Sequence, residues 1–298
     1  MITVFGSINV DLVCQVAKSP MPGETVMGSD YQLIPGGKGA NQALAARRAG
    51  AEVKLVGAIG DDDMARAALT ELEPAGVDLA SVATRHGTSG IAIITVDEKG
   101  ENTIVVSPGA NASAEAGQVA PDALSAGDTL LLQMEVPFAE SMKVATRASA
   151  AGARVVLSVA PFTPLTPTEL APTSIVVVNE HEAADFARYF GLAARGNQAV
   201  VTALARRLDR TVIATLGPEG AVASGPEGLI KVPAIPVTPV DTTGAGDTFA
   251  GVLAAYLDEG ADLRTAMAKA AVAGSLACTK HGAQPSFPTR AEIEAAGG

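Results

Sequence analysis

The sequence predicts an α/β protein: a central, mostly parallel sheet flanked by helices, with a small β-sheet lid inserted early in the chain. Three observations lead there. Short β-branched runs alternate with Ala-rich helical stretches over most of the 298 residues. The strand runs are continuously apolar, as strands covered on both faces are. Two early segments break this rhythm. Apolar residues make up 48% of the chain against 18% charged, enough for a sizeable core, and the length fits one domain over 1–298 with an appendage.

The strands expected are Ile2–Phe5, Val53–Ala58, Thr129–Gln133, Val155–Ser158, Ile175–Val178 and Val212–Thr215. Helical patterns cover about 39–49, 62–73, 138–151, 181–190 and 197–208. Of the two interruptions, 12–34 holds short strand-like pieces around Pro20, Pro22 and Gly23. The other, 90–106, reads as a hairpin: Ile91–Val96, the turn Asp97–Gly100, then Thr103–Val106. Paired, they would form a lid from about 12–36 and 88–107; an ordinary edge hairpin accounts for the pattern equally well.

Composition excludes several functions. Lys and Arg total 21 against 32 Asp and Glu, a net charge of −11, and Trp is absent, which disfavours nucleic acid as a partner. No apolar run is long enough to span a membrane. Cys14 and Cys278 lie far apart, as expected in a reducing cytoplasm, and the three His residues have no metal-ligand spacing. Ile2–Phe5 starts a strand with no basic segment before it, so no signal peptide is expected.

The chemistry gathers in Gly-rich stretches. Val240–Phe249 reads VDTTGAGDTF, and from it Phe249, Val252, Leu253, Tyr256 and Leu257 form one helix face. The helix therefore starts near Ala245 or Gly246, with Asp247 in its first turn. Free N–H groups and the dipole make such a start an anion site, and Gly244 and Gly246 clear side chains from it. The same dipole favours an ionised Asp247, suited to accept a proton from a hydroxyl that attacks a phosphoryl group. An Asp that merely favours a helix start is the plainer alternative. Neither a Walker A loop nor a dinucleotide fingerprint is present: Gly39 follows the Gly37-Lys38 pair, and Phe249 stands where a third Gly or Ala belongs.

A second Gly cluster, Gly36–Ala43, opens another helix. Gly37 permits close backbone approach, and Asn41 offers a donor and an acceptor to a polyhydroxy compound. Asn9 and Asp11 follow the first strand, and Glu135 ends an apolar run. All sit where α/β sheets bind ligands, beyond the carboxyl ends of strands. Taken singly, each is explained by a cap or a strand-end turn.

Together these stretches resemble the ribokinase-like family of sugar and nucleoside kinases. The resemblance rests on GSINVD (6–11), GGKGANQA (36–43), ENTIVVSPGAN (101–111), LLQMEVP (131–137), NEHE (179–182), TLGPEG (215–220), DTTGAGDTF (241–249) and GAQPS (282–286). DTTGAGDTF marks the wide family; GGKGANQA, LLQMEVP and GAQPS resemble its ribokinase branch. The resemblance implies phosphorylation of D-ribose at its 5-hydroxyl by MgATP. By match, Asn9, Val10, Asp11, Gly37, Lys38, Gly39, Ala40, Asn41 and Glu135 hold the sugar. Asp247 is the base, and Gly244, Ala245 and Gly246 form the anion hole.

The match also implies that Asn179, Thr215, Leu216, Gly217, Pro218, Glu219, Gly220 and Ala270 serve the nucleotide, alongside Gly246 and Asp247. Glu182 acts on Mg²⁺ indirectly. Asp241, Thr243, Ala277, Lys280, Gly282 and Ser286 match a K⁺ site formed largely by backbone oxygens, and the lid forms a homodimer contact. Two positions depart from the family pattern: Ala65, where glycine is common, and Ala270, where a polar residue can stand. The rivals are a kinase of the same family for another sugar or a nucleoside, and a non-catalytic sugar sensor. A nucleoside needs an apolar or aromatic platform, and the chain has only 7 Phe and 3 Tyr.

Overall fold

The computed structural model describes residues 1–297. In chain order the strands are β1 (Ile2–Phe5), β2 (Asn9–Gln15), β3 (Gln32–Gly36), β4 (Val53–Gly60), β5 (Asp78–Arg85), β6 (Gly90–Val96), β7 (Asn102–Ser107), β8 (Thr129–Leu132), β9 (Arg154–Ser158), β10 (Ile175–Asn179), β11 (Thr211–Thr215), β12 (Ala221–Gly225) and β13 (Gly228–Val232). The helices are α1 (Lys38–Arg48), α2 (Asp63–Leu69), α3 (Leu72–Ala75), α4 (Phe138–Ala150), α5 (Glu180–Tyr189), α6 (Asn197–Leu208), α7 (Ala245–Asp258), α8 (Leu263–Ala277) and α9 (Arg290–Ala296).

Nine strands form the large sheet in the order β13-β12-β11-β10-β9-β8-β1-β4-β5, parallel except where β12 and β13 extend one edge as a hairpin. Side chains alternate between two apolar layers, as the pleat requires. Ile2, Val4 and Leu131 pack with Leu44 of α1 and Leu253 of α7, while Phe5, Leu130 and Leu132 pack with Val144 of α4 and Phe186 of α5. Each fully buried Leu contributes about 1.5–3 kcal/mol. No helix among the described residues is long and apolar enough to cross a membrane.

The two early interruptions pair with each other. A separate four-stranded sheet, β3-β2-β6-β7, joins them, with β2 and β6 parallel and the other pairs antiparallel. Its first strand departs from expectation: Asn9 and Asp11 lie on β2 itself, not in a turn after β1. The chain thus leaves the large sheet at the carboxyl end of β1 and enters the small one after three intervening residues.

The pattern over 62–73 also resolves differently, into α2 and α3. Pro74 sits inside α3; in a continuous helix its ring would clash with the carbonyl of Thr70 and it would donate no N–H. Thr70 Oγ1 donates back to the carbonyls of Arg66 and Ala67, consistent with a chain that turns there.

Candidate active site

Two helices begin at the carboxyl edge of the large sheet, and their N-termini differ. At α1 the leading N–H groups have protein acceptors. Lys38 N–H donates to Glu135 Oε2 at 3.1 Å, Gly39 N–H to Ser7 Oγ at 3.2 Å and Ala40 N–H to the Ser7 carbonyl at 2.9 Å. The dipole of α1 therefore holds the carboxylate of Glu135, which also accepts from Ser7 Oγ at 2.6 Å. The N–H groups of Gly39 and Ala40, residues expected at the sugar, thus have acceptors within the protein. Gly37 has φ 88, and a Cβ on it would meet the Asn9 nitrogen at 2.6 Å, so only glycine brings α1 this close to β2.

At α7 the situation is reversed. Gly244 precedes the helix at φ 77, where a Cβ would lie 2.8 Å from the Phe287 ring and 2.9 Å from Ala283 Cβ. No side chain caps the helix, and the N–H groups of Gly246 and Asp247 donate to no acceptor among the described residues. Asp247 does not cap its own helix either. Its buried carboxylate accepts from Asn41 Nδ2 and Gln42 Nε2, each at 2.9 Å.

Four further charged groups face this point. Lys38 is held above the ordinary lysine range by Asp247 first, against the downward push of burial, with Glu135, Glu182 and Asp11 adding to the effect. Burial raises the Asp11 carboxyl to about 7; Glu135 and Asp247 add to this and Lys38 opposes it. Asn9 stands two residues before Asp11, so both project from the same face of β2. Asn9 Oδ1 accepts from Asn111 Nδ2 at 2.7 Å, and Asn111 is itself fixed by the backbone of Ile8. Val10, between them, is wholly buried and packs in the core.

A cavity of about 470 Å³ opens onto the start of α7. Of the residues expected at the nucleotide, Thr215, Gly217, Pro218, Gly220 and Gly246 line it. Ala270 does not: it is fully buried within α8, whose Ala271 and Gly274 face the cavity instead. Leu216 and Glu219 line a neighbouring hollow with Asn197 and Lys231. Asn179 and Glu182 form a capping box at α5, with Glu182 Oε2 accepting from Asn179 N–H at 2.7 Å and Asn179 Oδ1 from Glu182 N–H at 2.8 Å. Burial pushes the Glu182 carboxyl up, opposed by that N–H and by Lys38.

Asp241 ties two loops together: Oδ1 accepts from Thr243 N–H and Oδ2 from Gly282 N–H, each at 2.9 Å. Burial would raise its carboxyl, but hydrogen bonds from Thr243 and Gly282 hold it below the ordinary range. The carbonyls of Thr243, Ala277, Lys280, Gly282 and Ser286 accept no hydrogen bond from the described residues. The Lys280 ammonium lies 3.6 Å from Glu292, so its charge is directed to α9.

Several residues at the site had no role in the sequence reading: Ser7, Gln42, Asn111, Gln133 and Gln284. All lie inside the motifs quoted above. Their assignment needed partners more than 30 residues away.

A family model described as pfkB family carbohydrate kinase matches residues 1–290. The ribokinase of Bacillus subtilis (strain 168) is 38% identical over 297 residues, 98% of each chain. The crystal structure of a ribokinase from Thermotoga maritima superposes with a TM-score of 0.91 at 31% identity, covering 99% of this chain and 98% of its own. A ribokinase from Arabidopsis thaliana, complexed with ribose and ATP, gives 0.89 at 30% identity with the same coverage. Similarity of this extent, over both sheets and every loop of the site, shows that the chain belongs to the pfkB family of carbohydrate kinases.

Proposed function

We propose that this enzyme is a ribokinase: it transfers the γ-phosphoryl group of ATP to the 5-hydroxyl of D-ribose, with Asp247 as general base and the start of α7 as anion hole. One observation carries the reading. Among the described residues the N–H groups of Gly246 and Asp247 have no acceptor, and Gly246 lines a cavity beside a carboxylate held by two amides. Relatives with ribokinase names, one of them complexed with ribose and ATP, support the choice of substrates.

In this reading Asn9, Asp11 and Glu135 orient the sugar, and Asp247 takes the proton of the 5-hydroxyl. The oxygen forms a bond to the γ-phosphorus as the bond to the β-bridging oxygen breaks, giving ribose 5-phosphate and ADP. The α7 N–H groups and Lys38 stabilise charge on the transferring group. Positioning and charge stabilisation dominate phosphoryl transfer, and the base adds a factor of about 10²–10⁴.

The donor sets fit both cations the family implies. Among the described residues no cluster of three or more His, Cys, Asp or Glu is present. That fits a Mg²⁺ arriving on the nucleotide phosphates, with Glu182 acting through water. Mg²⁺ supplies charge neutralisation to the phosphates when bound. The five carbonyls without hydrogen bonds, with Asp241 beside them, fit K⁺.

The small sheet is assigned here as a lid on a single domain and as the contact of a homodimer. Leu33, Leu12, Ile93 and Val105 pair across all four strands in one row, on the face opposite Asp11. Leu33, Ile93 and Val105 are 41%, 45% and 60% exposed, an apolar row that a second copy would cover. The two free cysteines accord with a cytoplasmic location.

An ADP-release assay with MgATP and K⁺ across D-ribose, 2-deoxyribose, arabinose, fructose and adenosine tests the reading. Preference for ribose by about 10-fold or more in kcat/KM is expected. Preference for another acceptor overturns the ribose assignment, and ribose binding without turnover would make the chain a sensor.

A further inference from the structure

Asp247 is the centre of a buried chain of amides. Gln284 Nε2 donates to Asn41 Oδ1 at 3.1 Å, and Asn41 Nδ2 donates to Asp247 Oδ2. On the other side Gln133 Nε2 donates to Gln42 Oε1 at 2.7 Å, and Gln42 Nε2 donates to Asp247 Oδ1. An ionised carboxylate only accepts, so it dictates which end of each amide points toward it; each amide oxygen then turns to the next donor. Both arms therefore donate toward Asp247. They take one lone pair on each oxygen, fix the carboxylate plane and leave one lone pair on each oxygen for an incoming proton.

Gln42 and Gln133 are both wholly buried, and Gln133 Oε1 has no partner among the described residues. An orphaned buried carbonyl is a standing destabilisation, and an apolar pair of the same shape would fold at least as well. Stability gives no reason for two glutamines here. Gln42, having no exposed surface and both polar atoms engaged, also has nothing left with which to touch the sugar.

We infer that Gln42, oriented by Gln133, is a positioning residue that fixes the Asp247 carboxylate for proton acceptance. This rests on the reading of Asp247 as the base. The charged groups facing Asp247 are Lys38 on α1, Asp11 on β2, Glu135 beyond β8 and Glu182 on α5. All remain in the variants below.

The test compares Gln42→Met, the pair Gln42→Met/Gln133→Met, the near-isosteric Gln42→Glu, and Asp247→Asn by melting temperature and by kcat and sugar KM against pH. The paired variant should melt no lower than wild type. In Gln42→Met, kcat should fall about ten-fold or more while sugar KM moves less than about two-fold. Its acid limb should move up, because a donor to the ionised form is lost. Gln42→Glu keeps the bond from Gln133 and places a like charge against Asp247, so its acid limb should move further; it serves if Gln42→Met fails to fold.

Wild-type kcat and acid limb in the folded Gln42 variants, with Asp247→Asn inactive, overturn this inference alone. A loss confined to KM does the same. Normal turnover by Asp247→Asn overturns both the inference and the reading it rests on.

Discussion

Asp247 Oδ2 and Asn41 Nδ2, 2.9 Å apart and 206 positions apart in sequence, join the first turn of α7 to that of α1. Asn41 matches a sugar-binding position, yet both its polar atoms already have protein partners. Its remaining amide hydrogen and carbonyl lone pair are what it can offer a hydroxyl. In the proposed reading one side chain holds the base and borders the sugar, which would place proton acceptor and hydroxyl in register.

Asp247→Asn should lower kcat by about 10²–10⁴, the range for a lost general base, with little change in melting temperature. Steady-state kinetics beside a thermal melt decides it: a folded variant with near-normal kcat removes Asp247 from the chemistry.

Asp11 should make sugar binding and stability depend on pH. Its carboxyl lies at about 7 in the folded protein against an ordinary 3.8, so between these values the folded chain holds a proton that the unfolded chain releases. The group's stabilising contribution is therefore whole below about pH 4 and declines as pH rises toward 7. Asp11→Asn should gain melting temperature over wild type across that window and hold the gain above it. The sugar KM of wild type should rise as pH falls through 7, because a carboxylate that accepts from hydroxyls becomes protonated; in Asp11→Asn it should be high and flat. A pH-independent wild-type KM would take Asp11 out of sugar binding.

Replacing K⁺ by a large organic cation at equal ionic strength should slow the wild-type enzyme, and Asp241→Asn should lose most of that response. The Asp241 carboxyl lies below its ordinary range, so its contribution to stability is present above that range and is lost only as pH falls through its lowered value. K⁺ activation should accordingly persist at pH 5. Equal rates in the two salts would argue against a cation beside Asp241.

Val105→Lys should convert a dimer to a monomer in light scattering after size exclusion. It places a charge in an apolar row that crosses all four strands of the small sheet. A wild type already monomeric at micromolar concentration would leave that face without the proposed partner.

Much of the fold was legible locally. Ile2–Phe5 and Asn197–Leu208 fall within the bounds that periodicity gives them, and the hairpin Gly90–Val96, Asn102–Ser107 matches its turn signal, with Gly100 at φ 80 closing onto Asp97. β5, β12, β13, α8 and α9 were not singled out. β5 is a half-buried edge strand with Asp78, Ser81, Thr84 and Arg85, so it lacks the continuous apolar run of the central strands. In α8 seven of the fifteen positions are Ala or Gly, residues that mark neither period sharply.

By itself the sequence determined that a helix starts after Gly244 with Asp247 in its first turn, because a positive-φ glycine and a 3.6-residue apolar period act over a few neighbouring residues. It equally determined a Gly-rich start at α1, and nothing local distinguished the two. Only the tertiary structure decided that Glu135 and Ser7 take up the N–H groups of α1 while those of Gly246 and Asp247 have no acceptor among the described residues. It also decided that Asp11 and Leu12 lie on opposite faces of β2, and that Gln133 donates to Gln42 and Gln42 to Asp247. Those outcomes depend on strand register and on hydrogen bonds between residues 32 to 205 positions apart, and in a strand a shift of one residue reverses every side chain.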